Sequence, residues 1–194
     1  MSKVAIVGDP SGTGTFTISA PNGNTDRTLV LPNEAGTIIT TAGVPASAMP
    51  AGSVIQTVSA SNSSYSTTVS TSFVDSPLSA SITPTSASSK ILILCSLNGV
   101  GKSNASTSAG GNYRIIRDAS TQVIYLMNGA GWNNTTTYNF PSISCSYLDS
   151  PSTTSPITYK VQFSSQTASA SAQFNWYDTV QSTTSTLTLV EIAG

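Results

Sequence analysis

Ser89-Lys90-Ile91-Leu92-Ile93-Leu94-Cys95-Ser96-Leu97 is the most strongly apolar stretch in a chain otherwise dominated by Ser, Thr, Asn and Gly. As a strand it turns Ile91, Ile93, Cys95 and Leu97 to one face and Leu92 and Leu94 to the other. Apolar residues at both parities predict a strand covered on both sides, either within a packed sandwich or against a neighbouring subunit. The run falls far short of the ~20 residues of a membrane span and is short even for a core helix. It therefore reads as the central strand of an all-β domain, with the other strands laid around it.

Composition bounds the rest. The 194 residues suffice for one ordinary domain and an appendage. Only 8% are charged and the net charge is −1, while roughly a third are Ser or Thr, a bias towards strands and turns rather than helices. A disordered stalk is the competing reading of such low complexity. Against it, 38% of residues are hydrophobic and fall in alternating runs, so a folded β-protein is expected. So few charges leave no basic patch for nucleic acid and little to keep copies apart, which points to a surface used up in subunit contacts. Met1-Ser2-Lys3 leads only into Val4-Ala5-Ile6-Val7, so no signal peptide is expected. Without export, Cys95 and Cys145 are expected as reduced thiols on buried strands. The sequons at Asn62, Asn104, Asn133 and Asn134 then read as accidents of a Ser/Thr-rich chain.

Residues 1–50 differ from the remainder. Phe16-Thr17-Ile18, Leu29-Val30-Leu31 and Ile38-Ile39 are short apolar pieces separated by Gly/Pro/Asn turn clusters. Each offers too little apolar surface for a core of its own, and such segments become stable when several chains wrap about a common axis. Residues 41–52 (TAGVPASAMPAG) read as a linker. From Val54 onward strand signals come at sandwich spacing: 54–58, 78–82, the central strand, 113–117 and 122–126 as a hairpin, 143–147, 157–163, a strand marked by Phe174 and Trp176, and 186–192. About eight strands and no helix predict a jelly-roll-like β-sandwich.

Little catalytic equipment is present. The chain has no His, which removes Ser-His and Cys-His dyads and most zinc sites. Its eight acidic residues form no calcium-loop pattern, so no metal or other cofactor is expected. Gly99-Val100-Gly101-Lys102-Ser103 imitates a phosphate loop, but Ser96 stands where its first Gly belongs and a Ser/Gly-rich loop follows instead of a helix. Gly8 to Gly14 lacks a following helix too. Phe73-Val74-Asp75-Ser76-Pro77 and Tyr147-Leu148-Asp149-Ser150-Pro151 echo each other. Turn chemistry explains them better than a paired-carboxylate site. Trp132, Asn133, Asn134 and Tyr138, on a loop over 128–139, are the candidate ligand contacts: ring faces take the apolar side of a sugar and amides take its hydroxyls. The alternative is that the rings plug a subunit interface, where aromatics are also enriched.

The stretch SGTGTFTISAPNGNTDRTLVLPNEAGTIITTAG (11–43) resembles a segment that recurs in tail-fibre and related virion proteins of tailed bacteriophages. The shared features are Gly-Thr-Gly-Thr-Phe at 12–16, Arg-Thr-Leu-x-Leu-Pro at 27–32 and Gly-Thr-Ile at 36–38. SITPTSASSKILIL (81–94), YLDSP (147–151), ITYKVQF (157–163) and TLTLVEIAG (186–194) are similar to the head domains that follow such shafts. The resemblance implies a homotrimeric virion fibre assembled in the host cytoplasm. Residues 1–50 would form an intertwined β shaft docked on another virion protein, and 51–194 a jelly-roll β-sandwich knob pointing outwards, by analogy with trimers of the tumour-necrosis-factor type. It implies a structural protein, not an enzyme, with no nucleic-acid or membrane partner: a tail fibre touching a host surface glycan or protein. A capsid decoration, head fibre or neck protein with no receptor role is the alternative, kept by the shortness of the shaft. A depolymerising tailspike is disfavoured, since carboxylate pairs and a long β-helix are missing.

Overall fold

The structure is a computed structural model that describes residues 10–15, 17, 22–24, 26, 28, 44–45, 48–103, 110–132, 138–177 and 183–194, with the backbone alone at 103, 138 and 139. The chain divides into two compact units, Met1–Ile38 and Ile39–Gly194. In the first, the described residues are exposed and none lies in a strand. The apolar pieces at 16–18, 29–31 and 38–39, Thr17 apart, lie outside the described residues.

The second unit is all-β, with no α-helix among its described residues. Its strands are β1 (Val54–Asn62), β2 (Ser66–Thr68), β3 (Val74–Ile82), β4 (Lys90–Leu97), β5 (Gly101–Ser103), β6 (Gly111–Arg117), β7 (Thr121–Ala130), β8 (Tyr138–Asn139), β9 (Ile143–Asp149), β10 (Ile157–Ser165), β11 (Ala172–Phe174) and β12 (Ser185–Ile192). They form three four-stranded sheets in the orders β1-β12-β4-β9, β3-β10-β6-β7 and β2-β11-β5-β8, with every pairing antiparallel. Each strand of the third sheet is the chain neighbour of the strand in the same place in the first.

Period-two patterning sets which face is buried. β3 buries Ser76, Leu78, Ala80 and Ile82, β10 buries Ile157, Tyr159, Val161 and Phe163, and β12 buries Leu187 and Leu189. With Ile91, Ile93 and Leu97 of β4 and Tyr113 and Ile115 of β6, they make one core shared by the first two sheets. Removing each such aliphatic side chain from water contributes about 1.5–3 kcal/mol. β6 and β7 form the expected hairpin. Arg117 pairs with Thr121 across a turn in which Asp118 takes φ 56°, a value Asp tolerates better than most residues. Asp118 also ties the turn to β10: its N–H donates to Thr158 O at 2.7 Å, and Thr158 N–H donates back to its Oδ1 at 3.0 Å.

Two carboxylates at the core-facing side of the first sheet are each met by hydrogen-bond donors. Asp149, at the end of β9, accepts from Arg117 of β6 at 2.5 Å and from the Tyr159 hydroxyl of β10 at 2.7 Å, joining the two core-forming sheets. Burial works against the Arg117 cation, but Asp149 outweighs it and raises the guanidinium pKa further. Glu191 of β12 is buried and accepts from Gln56 Nε2 at 2.6 Å and from the N–H and hydroxyl of Thr85, each at 2.7 Å. Burial pushes its carboxyl pKa up, yet the hydrogen bonds from Gln56, Ser89 and Thr85 win and hold it below its ordinary value.

One expectation is narrowed and another corrected. Within the chain only one parity of β4 is buried: Ile91, Ile93 and Leu97 are fully covered while Leu94 is 42% exposed, because the outer face of this sheet has no described layer packed on it. The segment Asp75-Ser76-Pro77 is not a turn but part of β3. β3 is the edge strand of its sheet, and a bulge opposite Val161, between the pairs Lys160–Ser79 and Gln162–Asp75, absorbs the missing proline donor. Asp75 instead accepts from Lys160 at 2.9 Å and Gln162 at 2.7 Å on the exposed side. Asp75 and Asp149 thus have separate partners and form no carboxylate pair.

Candidate functional site

Of the four sequence candidates only Trp132 has a described side chain. Trp132 follows β7 in a turn closed by its own N–H to Gly129 O at 2.9 Å, with Gly129 at φ 75° and Gly131 at φ 74° supplying the left-handed backbone. Its ring is 56% exposed, so it fills no part of the chain's own core. Asn133 and Asn134 lie outside the described residues. Tyr138 is described by its backbone alone, which pairs with Ser103 in β8. The imitation phosphate loop dissolves as well: Gly101, Lys102 and Ser103 are strand β5, with Lys102 buried on a ladder beside Ala172 and Asn139.

A better-formed site lies where the chain leaves β4, β8 and β11. A cleft of ≈ 380 Å³ is lined by Asn98, Gly99, Phe140, Ser142, Trp176, Thr183 and Thr184. Its floor is aromatic, with the Phe140 and Trp176 rings stacked at 4.4 Å between centroids and 14° between planes. Local backbone chemistry places Trp176. After β11, Asn175 takes φ 52° and reverses the chain, buried and held by Nδ2 to Asn62 O at 2.8 Å and by the Ser185 hydroxyl on its Oδ1 at 2.6 Å. Trp176 N–H then donates to Gly99 O at 2.9 Å, and the Thr183 hydroxyl donates to Trp176 O at 2.9 Å.

Gly99 is required for this approach. It sits at φ 58°, and a Cβ there would lie 2.5 Å from Thr183 Oγ1 and 2.6 Å from Trp176 N, inside any permitted contact. On the opposite lip Asn98 Nδ2 donates to Thr184 O at 2.7 Å, and Asn98 N–H donates to the Ser185 hydroxyl at 2.9 Å. The lining residues carry hydroxyls, one amide and two rings but no ionisable side chain. Such a surface suits recognition by stacking and neutral hydrogen bonds, not proton transfer. Among the described residues no three His, Cys, Asp or Glu side chains stand close enough to hold a metal ion.

The sequence reading missed Phe140 and Trp176 because Phe174 and Trp176, two residues apart, look like one face of a strand. Asn175 between them was the available signal, since Asn readily adopts the left-handed conformation that ends β11 here. No protein-family model matches the chain, and no curated protein matches it.

Proposed function

We propose that the chain is a non-enzymatic structural subunit of a tailed-bacteriophage fibre, a homotrimer whose β domain forms a knob that contacts the host surface. The observation that carries self-association is the outer face of the β1-β12-β4-β9 sheet. The ladder aligns Thr57, Val190, Leu92 and Leu148 in one row, Ser59, Thr188, Leu94 and Ser146 in the next, and Ser61, Thr186, Ser96 and Ser144 in a third. None of these residues is charged. Leu94 is 42% exposed on an interior strand and Leu148 47% on the edge strand β9, beside Leu92 and Val190 and otherwise among Ser and Thr. In these three rows copies bring no like charges together, bury leucine, and supply hydroxyls that can pair across the contact, with Lys90 exposed one row beyond Leu92 on the same face.

A jelly-roll reading of the knob is supported by strand order. Joining β1 to β2, β4 to β5, β8 to β9 and β11 to β12 leaves eight strands in two sheets. Numbered along the chain, their orders are 1-8-3-6 and 2-7-4-5, the arrangement of two interlocked Greek keys. Residues 1–50 act in this reading as the shaft that docks on the particle. Host contact falls to the loop of Trp132, Asn133, Asn134 and Tyr138 and to the Phe140–Trp176 cleft, with a sugar ring as the matching ligand: an apolar face for the rings and hydroxyls for Asn98, Ser142 and Thr184.

Solution mass tests the assembly. The intact chain at micromolar concentration is expected at three times its monomer mass, and a stable monomer overturns the proposal. Adsorption tests the site: Trp132→Ala or Trp176→Ala particles should bind host cells less well. Assembled particles of both variants adsorbing normally would leave the knob as a capsid decoration, head fibre or neck protein.

A further inference from the structure

Cys95 on β4 and Cys145 on β9 are directly opposed in the antiparallel ladder, and both are free. Opposed residues of antiparallel strands hold their Cα atoms ~4.5–5.5 Å apart, within the ~4.4–6.8 Å that a disulfide spans. Cys95 shares the parity of Ile93 and Leu97 on the core side of β4, and as its opposed partner Cys145 projects from the same face of the ladder. We propose that Cys95 and Cys145 are a covalent modification site, a preformed dithiol that closes to a cross-strand disulfide on meeting a small disulfide of the oxidised-glutathione class.

The two positions are not equivalent. Cys95 is 4% exposed on an interior strand, whereas Cys145 is only half-buried on β9, an edge strand of its sheet. The neighbouring Cys145 and then burial push the Cys95 thiol up, while the neighbouring Cys95 holds the Cys145 thiol below its ordinary value. Cys145 is thus both the more accessible sulfur and the readier thiolate. Its thiolate attacks one sulfur of the small disulfide, the S–S bond breaks, and one half leaves as a thiolate. Cys95 then gives up its proton and attacks Cys145 Sγ, breaking the mixed disulfide and releasing the second half. Two protein thiols and one small disulfide become one protein disulfide and two small thiols, with two electrons passing to the oxidant. The pair stays open where small thiols are kept reduced and closes when the protein passes into oxidising surroundings.

The experiment treats the intact, reduced protein with oxidised glutathione under native conditions, quenches in acid and weighs the chain. The expected product has lost two hydrogens and has no thiol left to alkylate. Early in the reaction, any attached glutathione maps by peptide mass to Cys145. The Cys95→Ser variant should stop with one glutathione on Cys145, and the oxidised native protein should melt roughly 5–10 °C higher than the reduced one. A chain that keeps both thiols, or that accumulates glutathione without closing the bond, overturns the proposal. So does early attachment at Cys95, a result that native protein alone can give if Cys95→Ser fails to fold.

Discussion

The two faces of β4 carry similar side chains and meet opposite fates. Inward, Ile91, Ile93 and Leu97 are wholly covered, and the carboxylates level with Ile91, buried Glu191 on one side and part-buried Asp149 on the other, each have hydrogen-bond donors. Outward, Leu94 and Leu148 stand nearly half exposed among hydroxyls, with no charge in the three rows around them. An apolar parity in a strand says that a face is to be kept from water, but not which chain covers it. On the inner face this chain supplies the cover. On the outer face no described residue does, and the proposed trimer does.

The largest effect expected is on the inner face. Ile93→Asp places a carboxylate in a site with 0% exposure and no partner, at a cost of several kcal/mol, enough to consume most of an ordinary domain's stability. No cooperative melting transition should remain; a folded Ile93→Asp protein would mean that the interior at β4 is not closed. Asp149→Ala comes next. It strands the Arg117 guanidinium and the Tyr159 hydroxyl between the sheets and should cost about 2–4 kcal/mol in denaturant unfolding, somewhat less than a fully buried pair because both side chains keep some solvent contact. A loss below about 1 kcal/mol would reduce the contact to an ordinary surface pair.

A smaller, pH-dependent loss is expected at Glu191. Its folded pKa lies below the ordinary 4.5, so its contribution is fully present above that value and disappears as pH falls through the folded pKa. Urea midpoints should therefore drop in acid, and Glu191→Gln should flatten that dependence below about pH 4.5 while lowering stability at neutral pH. An unchanged acid slope in Glu191→Gln would assign the sensitivity to other carboxylates, such as Asp75, whose pKa is also lowered, chiefly by Gln162 and then Lys160.

Much of this framework was legible in the chain itself. Leu78, Ala80 and Ile82, the run from Ile157 to Phe163, and Leu187 and Leu189 alternate cleanly, and alternation survives any detail of topology. Strands β2, β5 and β8 were not legible. Ser66–Thr68, Gly101–Ser103 and Tyr138–Asn139 are two or three residues each, composed like loops, and owe their extension to the neighbours they pair with. Pro77 misled for a related reason: the cost of a proline in a strand depends on whether its missing N–H faces a partner, which only the sheet order decides. The cleft needed Gly99, Asn175 and Thr183 brought together from distant parts of the chain, and no local pattern announces that. The exposed Trp132 was legible as an aromatic on a loop, though its distance from the stacked pair in sequence hid the second site.

The smallest expected change to the chain's own stability is also the one that bears most directly on the outer face. Leu94→Asp puts its carboxylate where the side chain already meets water, so the isolated domain should lose no more than about 0.5 kcal/mol, as surface substitutions do. In an assembly built on this face the same carboxylate is forced, three copies at a time, into rows of Leu, Val, Ser and Thr that offer it no cation, Lys90 standing two rows away. Each copy then carries an unpaired buried charge, and association fails while the fold survives. Sedimentation or native mass measurement on Leu94→Asp should accordingly give a folded monomer with an unchanged β-sheet spectrum. Leu94→Ala should weaken association without abolishing it, since it removes buried methyl groups and adds no charge. A Leu94→Asp protein that assembles like the native chain would place the contact elsewhere on the domain and leave the outer leucines without a role.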